Sequence, residues 1–307
     1  MAFRAPLDRG VLDSMAGVRP SFSFAALAQS GKAWSCHVVD GNGNVAIDED
    51  GRLASFRPRP DVPAWFLGQT SDGVIHCAVT VEMLSGADDA FAVPGPMAPS
   101  LMGVHLARLT EIAMTLADDE ALLATQAVSL GRWHAANRYC SRCAAPVEAA
   151  EAGWASLCTG CGTVEYPRTD PAVIVRVLDA QDRILLGHNT EWPEKRMSLL
   201  AGYVEAGETP RRAVERELRE EVDLVVTDSR FVGAQPWPGP RSLMLGFEAR
   251  VQGTPEPRPD ALEIDRAQFF SREELRRAIA TGALILPGPA SIARALICEW
   301  LEDPTAE

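Results

Sequence analysis

From Gly202 to Leu224 the chain reads GYVEAGETPRRAVERELREEVDL, a glycine-bearing turn followed by a helix with carboxylates crowded along one side. Thr209 is a good N-cap, because its hydroxyl accepts a free N–H of the first turn, and Pro210 suits the first helical position, where its missing N–H goes unused. At 3.6 residues per turn, Glu217 and Glu221 stand one turn apart with Glu220 on the neighbouring edge. Val214, Leu218 and Val222 recur at i, i+4 and i+8, which predicts a helix pressed against a core with its acidic edge turned to a cleft. Like charges so placed repel, so either water screens them or hard cations neutralise them. An arbitrary acidic helix face is ordinarily just solvated. Oxygen donors with some retained water suit magnesium or manganese, ions that accompany phosphate-bearing substrates.

The neighbouring segments supply a sheet for that helix. PAVIVRVLD from Pro171 and the later RILLG are apolar runs split by a turn-like AQD, which predicts a hairpin, and SLMLGFEARV predicts another strand. Ser271 opens a capping box, and Ile292, Leu296 and Trp300 share one side of a last helix. Residues up to about Asp89 alternate short apolar runs with turns such as DGNGN and DEDG, while helical periodicity runs from Leu101 to His134 beyond the proline-rich AVPGPMAPS. We expect an α/β (α+β) layered fold: a strand-rich domain over 1–100, a helical connector over 101–135, a metal-binding segment over 136–168 and a second domain over 169–307.

The metal-binding segment rests on Cys140-x-x-Cys143 and Cys158-x-x-Cys161, separated by fourteen residues. Two unrelated pairs of buried cysteines, or a redox pair, are the alternatives; two copies at this spacing are better explained by one zinc. Four thiolates close the coordination sphere, so that zinc, one per chain, is structural, and catalysis must lie elsewhere. Cys36, Cys77 and Cys298 stand alone and read as core residues. A formal charge of −13 over 307 residues opposes broad capture of nucleic acid or anionic membrane. Arg211, Arg212 and Arg241 form a small basic group that is ordinarily a solvated face. No signal-peptide core or bilayer-length apolar segment is evident, so the expectation is a cytoplasmic protein with no membrane partner.

Gly202, five residues, Glu208, seven residues, then Arg216-Glu217-Leu218-x-Glu220-Glu221 resembles the box of the Nudix hydrolases, with Asp223 where that family has a glycine. Gln235 to Ser242, QPWPGPRS, resembles the SQPWPFPxS array of the NADH pyrophosphatase subgroup. That subgroup also has a four-cysteine zinc ribbon before the Nudix domain and then a Tyr-Pro pair, matched by Tyr166 and Pro167. The similarity spans roughly Leu101 to Leu301. It implies a Nudix β-α-β sandwich in which Glu217, Glu220, Glu221, the Ala201 carbonyl and Glu263 hold magnesium or manganese and Glu221 acts as base. It also implies substrate contacts from Tyr166, Gln235, Pro236, Trp237, Pro238, Gly239, Pro240, Arg241, Ser242 and Ala293.

A tryptophan between prolines is a stiff platform for a stacked base, although a buried tryptophan in a proline-rich loop reads equally well; Tyr203 offers a second aromatic face. Gly239 stands where the array has phenylalanine and Ala234 where it has serine, so one aromatic surface is lost. The implied reaction is cleavage of the diphosphate of NADH or NAD to nicotinamide mononucleotide and AMP, by a homodimer. NAD-capped RNA carries the same bond. ADP-ribose or another nucleoside diphosphate derivative is the alternative substrate. The rival class is a non-catalytic zinc-ribbon protein that binds nucleotide or RNA, against which the intact glutamate cluster speaks.

Overall fold

A computed structural model describes residues 3–57, 62–81, 83 and 104–302; the proline-rich AVPGPMAPS lies outside the described residues. Internal contacts divide the chain into two compact units, one of Arg9–Arg168 with Pro238–Arg241, the other of the N-terminal stretch to Asp8, Thr169–Trp237 and the chain from Ser242 onward.

The first unit holds a short helix α1 (Phe24–Gln29) and a five-stranded sheet, ordered β3-β4-β1-β2-β5. Its strands are β1 (Trp34–Val39), β2 (Asn44–Ile47), β3 (Trp65–Gln69), β4 (Ile75–Thr80) and β5 (His105–Arg108). Trp34, Cys36, Phe66, Cys77 and Val79 pack into one core, so Cys36 and Cys77 are the buried apolar residues expected, whereas Cys298 is only half-buried. From His105 the chain departs from the helical expectation, whose first residues, 101–103, lie outside the described residues. His105–Arg108 pairs with β2, from Asn44↔Arg108 to Ile47↔His105. Four residues, His-Leu-Ala-Arg, are too few to carry a decisive periodicity, and here an open strand edge takes up their backbone groups. A single helical turn, α2 (Leu109–Ile112), follows, and the long helix α3 (Asp118–Ala136) starts only after it. Beyond α3 lie three short antiparallel strands, β6 (Val147–Ala150), β7 (Ala155–Cys158) and β8 (Val164–Glu165), ordered β6-β7-β8.

The second unit is a sheet between helices. Its strands are β9 (Asp170–Leu178), β10 (Ile184–Asn189), β11 (Leu200–Tyr203), β12 (Val226–Trp237), β13 (Ser242–Val251) and β14 (Ile264–Phe270). They run in the order β12-β13-β9-β10-β14, with β11 also paired to β9. The β9–β10 hairpin and the strand over SLMLGFEARV stand where the sequence puts them. Strand β9 is buried on both faces, as its unbroken apolar run requires. Val173, Val175 and Val177 face the helix α4 (Pro210–Val222), whose Val214, Leu218 and Val222 are fully buried beside them. Ile174 and Leu178 face the other way, against α6 (Ile292–Glu302), where Ile292, Leu296 and Trp300 share the core. Helix α5 (Arg272–Ala280) sits on that side too, opened by the Ser271–Glu274 capping box. Each such side chain contributes about 1.5–3 kcal/mol through burial, so α4 is fixed in place by apolar packing and its acidic edge is left for other work.

Candidate active site

Helix α4 begins as its sequence dictates. Thr209 Oγ1 accepts the Arg212 N–H at 3.4 Å, and Pro210 occupies the first turn. It ends at Asp223, which takes the left-handed conformation at φ 54° and ψ 38°, and the Asp223 N–H returns to the Arg219 carbonyl at 3.1 Å. Aspartate thus enters the geometry that glycine adopts freely, and its carboxylate pairs with Arg258 at 3.4 Å.

The acidic edge is organised by an arginine that sequence reasoning left without a role. Arg216 Nε and Nη2 grip Glu208 in a two-pronged pair at 3.0 and 2.9 Å. Its Nη1 donates to Glu217 Oε1 at 2.8 Å and to Glu220 Oε2 at 3.3 Å, and Nη2 also reaches the Tyr203 carbonyl at 2.8 Å. One guanidinium therefore ties the turn before the helix to the carboxylates upon it. This hydrogen bonding holds Glu208 below its ordinary range. Glu217 is pushed up, chiefly by burial, although Arg216 opposes the shift. The signal in the sequence was the arginine beside Glu217 and four residues before Glu220, an ion-pair spacing on a helix.

Gly202 is required by close approach. A Cβ there would lie 1.8 Å from Glu217 Oε1 and 1.9 Å from Glu217 Cδ. The Glu217 carboxylate rests on the backbone of β11, next to Ala201, and only glycine leaves it room.

Glu221 is the deepest of the three, 6% exposed, and its Oε2 has no hydrogen-bond partner. Burial, then the nearby charges of Glu217, Glu263, Asp260 and Glu220, push its carboxyl up to about 8. A buried carboxylate oxygen with no donor, ringed by other carboxylates, is the environment a hard divalent cation satisfies. The residues present fit such an ion.

Glu263 comes from a separate loop, and Asp260, which sequence reasoning missed, shapes it. The Asp260 N–H donates to the Glu221 carbonyl at 3.0 Å, while Asp260 Oδ1 accepts from the N–H groups of Leu262, Glu263 and Ile264. The Thr190 N–H holds the Glu263 carbonyl at 2.9 Å from the other side. Glu263 is therefore brought to the helix by backbone contacts, a link that sequence spacing alone does not carry.

Substrate candidates fall into two groups. In the second unit, Ser242 Oγ donates to Tyr203 Oη at 3.4 Å. Gln235 is fully buried: its Oε1 accepts the Leu7 N–H at 3.1 Å, and its Nε2 donates to the Ala290 carbonyl at 2.9 Å, three residues before the buried Ala293. Pro236 sits in β12 at the sheet edge, opposite Leu243, where its missing N–H does no harm, and Trp237 opposite Ser242 is half-buried. Tyr166, 62% exposed, and Pro238 to Arg241 belong to the first unit.

Two family models match the chain: the NUDIX domain over residues 168–286 and the NADH pyrophosphatase zinc ribbon domain over residues 135–166. The NAD-capped RNA hydrolase NudC of Mycobacterium bovis (strain BCG / Pasteur 1173P2) is 38% identical over 271 residues, spanning 86% of this chain and 82% of that protein. The chain belongs to the Nudix hydrolases. The same-named protein of Mycobacterium tuberculosis (strain ATCC 25618 / H37Rv) is 37% identical over 271 residues, covering 86% of this chain and 82% of its own. The NAD-capped RNA hydrolase NUDT12 of Homo sapiens is 34% identical over 200 residues, covering 61% of this chain and 43% of that protein.

The zinc ribbon of this Nudix hydrolase brings its four cysteines together. The sulfurs of Cys140, Cys143, Cys158 and Cys161 lie within 4.8 Å of one another, with 3.4 Å between Cys143 and Cys158 and 3.7 Å between Cys140 and Cys161. Zinc–sulfur bonds of about 2.3 Å in a tetrahedron place sulfurs about 3.8 Å apart, so the cluster is the size of one structural zinc site. The knuckle CSRCAAP lacks glycine, and Ala144 takes the left-handed conformation there at φ 59°.

Proposed function

We propose that this protein hydrolyses the diphosphate of NADH and NAD, giving nicotinamide mononucleotide, reduced or oxidised, and AMP, and removes NAD caps from RNA by cleaving the same bond. The observation that carries the reading is the buried Glu221 with an unpartnered oxygen amid Glu217, Glu220, Glu263 and Asp260, on a scaffold shared with NAD-capped RNA hydrolases.

In this reading Glu217, Glu220, Glu221, Glu263 and the Ala201 carbonyl hold magnesium or manganese. The chemistry such ions supply when bound is neutralisation of the diphosphate charge and a lowered pKa for an attacking water. Glu221 accepts the proton of that water through the carboxylate oxygen that has no hydrogen-bond partner. Arg216 keeps Glu217 and Glu220 from swinging away, so the ligand set is preorganised. Tyr203 and Trp237 offer aromatic surfaces for the base or the nicotinamide, and Tyr166, on the first unit, is a separate aromatic candidate. By the resemblance to the NADH pyrophosphatase subgroup, Pro236, Ser242, Pro238, Gly239, Pro240 and Arg241 contact the substrate, and Gln235 and Ala293, both buried, support them from within the fold. We further propose that the chain works in the cytoplasm as a homodimer. No helix among the described residues is long and apolar enough to cross a membrane.

The test is a substrate panel of NADH, NAD, ADP-ribose and NAD-capped RNA, incubated with purified protein and magnesium or manganese, with EDTA as control. The reading expects metal-dependent AMP from NADH and NAD, and 5′-monophosphate RNA from the capped transcript. A clear preference for ADP-ribose would replace the substrate, and no product from any of the four would remove the enzymatic reading altogether.

A further inference from the structure

The first compact unit contains a cavity of about 660 Å³ that the diphosphate chemistry does not use. Its walls come from the β1–β2 turn (Asn42, Gly43, Asn44), from the end of β5 and the start of α2 (Arg108, Thr110), from α3 (Val128, Arg132) and from Pro238–Gly239–Pro240. That volume suits a nucleotide-sized group.

Two arginines and no carboxylate line it, in a protein of net charge −13. Arg132 Nη1 donates to the Asn42 carbonyl at 2.8 Å, but its Nε is buried without a partner. Neither Arg108 nor Arg132 is paired with a carboxylate among the described residues. Of the acidic residues near in sequence, Glu111, beside Thr110, is exposed on α2 and is not among the lining residues, and Asp40 is buried. Its carboxylate is engaged by the Asn42 and Asn44 N–H groups at 2.9 and 2.8 Å and by Asn44 Nδ2 at 2.7 Å. Two guanidinium groups without a carboxylate partner, in a cavity whose lining has no carboxylate, suit an anion, and phosphate matches the fork of arginine. At Gly239 an added Cβ would meet nothing within 4 Å, so the cavity wall is open there.

We infer that this cavity receives a backbone phosphate of the RNA chain that follows the NAD cap. The inference rests on the decapping reading. Pro238 to Pro240, which line the cavity, belong to the array that the resemblance assigns to the substrate, and the polyanion in that reaction is the RNA. Arg108 and Arg132 supply the contact, and they act on RNA substrates alone.

The experiment measures binding of an uncapped, 5′-monophosphorylated single-stranded RNA of about ten nucleotides, a length within the usual site size, by fluorescence polarisation in EDTA. Each single-strand phosphate contact contributes about 0.7 to the logarithmic salt slope, or about fivefold in affinity at about 0.1 M salt. Arg108→Gln and Arg132→Gln should each weaken binding about fivefold, and the double variant about 25-fold with a shallower salt dependence, while NADH hydrolysis is unchanged. Arg108 is at an exposed strand end, so its variant reads the site even if Arg132→Gln disturbs packing. Equal affinity for wild type and Arg108→Gln, or no binding by wild type, overturns the inference. Displacement of the oligonucleotide by equimolar AMP also overturns it, in favour of a free nucleotide. Failure of the decapping reading shows separately, as wild type leaving NAD-capped RNA intact.

Discussion

Replacing Gly202 by alanine isolates the geometry of the acidic site from the fold. The added Cβ would sit 1.8 Å from Glu217 Oε1, 1.9 Å from Cδ and 2.5 Å from Oε2, whereas real contacts of this kind do not fall below 3.0 Å. The carboxylate must therefore retreat from 1.8 to at least 3.0 Å, a displacement of at least 1.2 Å. Its retreat pulls on Arg216, which holds Glu217 at 2.8 Å and Glu220 at 3.3 Å, so two ligands lose their place together. A misplacement of about 1 Å near the chemistry reduces rate on the order of 100-fold. Gly202 has no positive φ, so alanine is compatible with the backbone. We expect Gly202→Ala to keep its thermal midpoint and circular dichroism, lose about 100-fold in kcat/KM for NADH, and require more magnesium for half-maximal rate. Folded Gly202→Ala with kcat/KM within about twofold of wild type would refute the reasoning.

Three further perturbations address other parts of the account. In the metal-free protein the Glu221 carboxyl is displaced from 4.5 to about 8, so its contribution to stability is complete below 4.5 and is lost as pH rises through about 8. EDTA-treated wild type should therefore lose thermal stability relative to Glu221→Gln between those values, and protection by magnesium should grow with pH; parallel melting curves for the two proteins would contradict this. Cys143→Ser should abolish stoichiometric zinc, measured by atomic absorption, and lower the melting temperature through loss of the ribbon, because a structural zinc couples binding to folding. Leu218 is fully buried beneath the acidic edge, so Leu218→Ala should cost about 2–5 kcal/mol in urea denaturation, and a smaller loss would mean that α4 is held by other contacts.

Much of the site was legible because local chemistry and tertiary structure agree there. Thr209, Pro210 and the Val214–Leu218–Val222 stripe specify a helix with one buried face, and the four cysteines specify a closed metal site, whatever surrounds them. What remained hidden depends on distant chain. Nothing in the spacing of Asp260 announces that its carboxylate gathers three N–H groups and sets Glu263 beside α4. Nor does QPWPGPRS disclose that the Gln235 amide is engaged by Leu7 and Ala290. The strand at His105–Arg108 is hidden from the sequence for a related reason. A four-residue segment fits two periodicities, and the open edge of β2 decides the outcome for His105–Arg108. Glycine and arginine carry more than their types suggest: Gly202 is fixed by the volume of Glu217, and Arg216 by the four residues whose oxygens it joins.

The central claim is that the carboxylates of α4, with Glu221 as the proton acceptor, cleave the diphosphate of NAD(H). AMP formation from NADH by wild type and by Glu221→Gln, in saturating magnesium and again in EDTA, tests it most directly, with substrate binding measured alongside. The account predicts steady AMP release by wild type, none in EDTA, and a loss on the order of 100-fold or more for Glu221→Gln with binding of NADH retained. Turnover that survives EDTA, or Glu221→Gln that releases AMP at the wild-type rate, would contradict it.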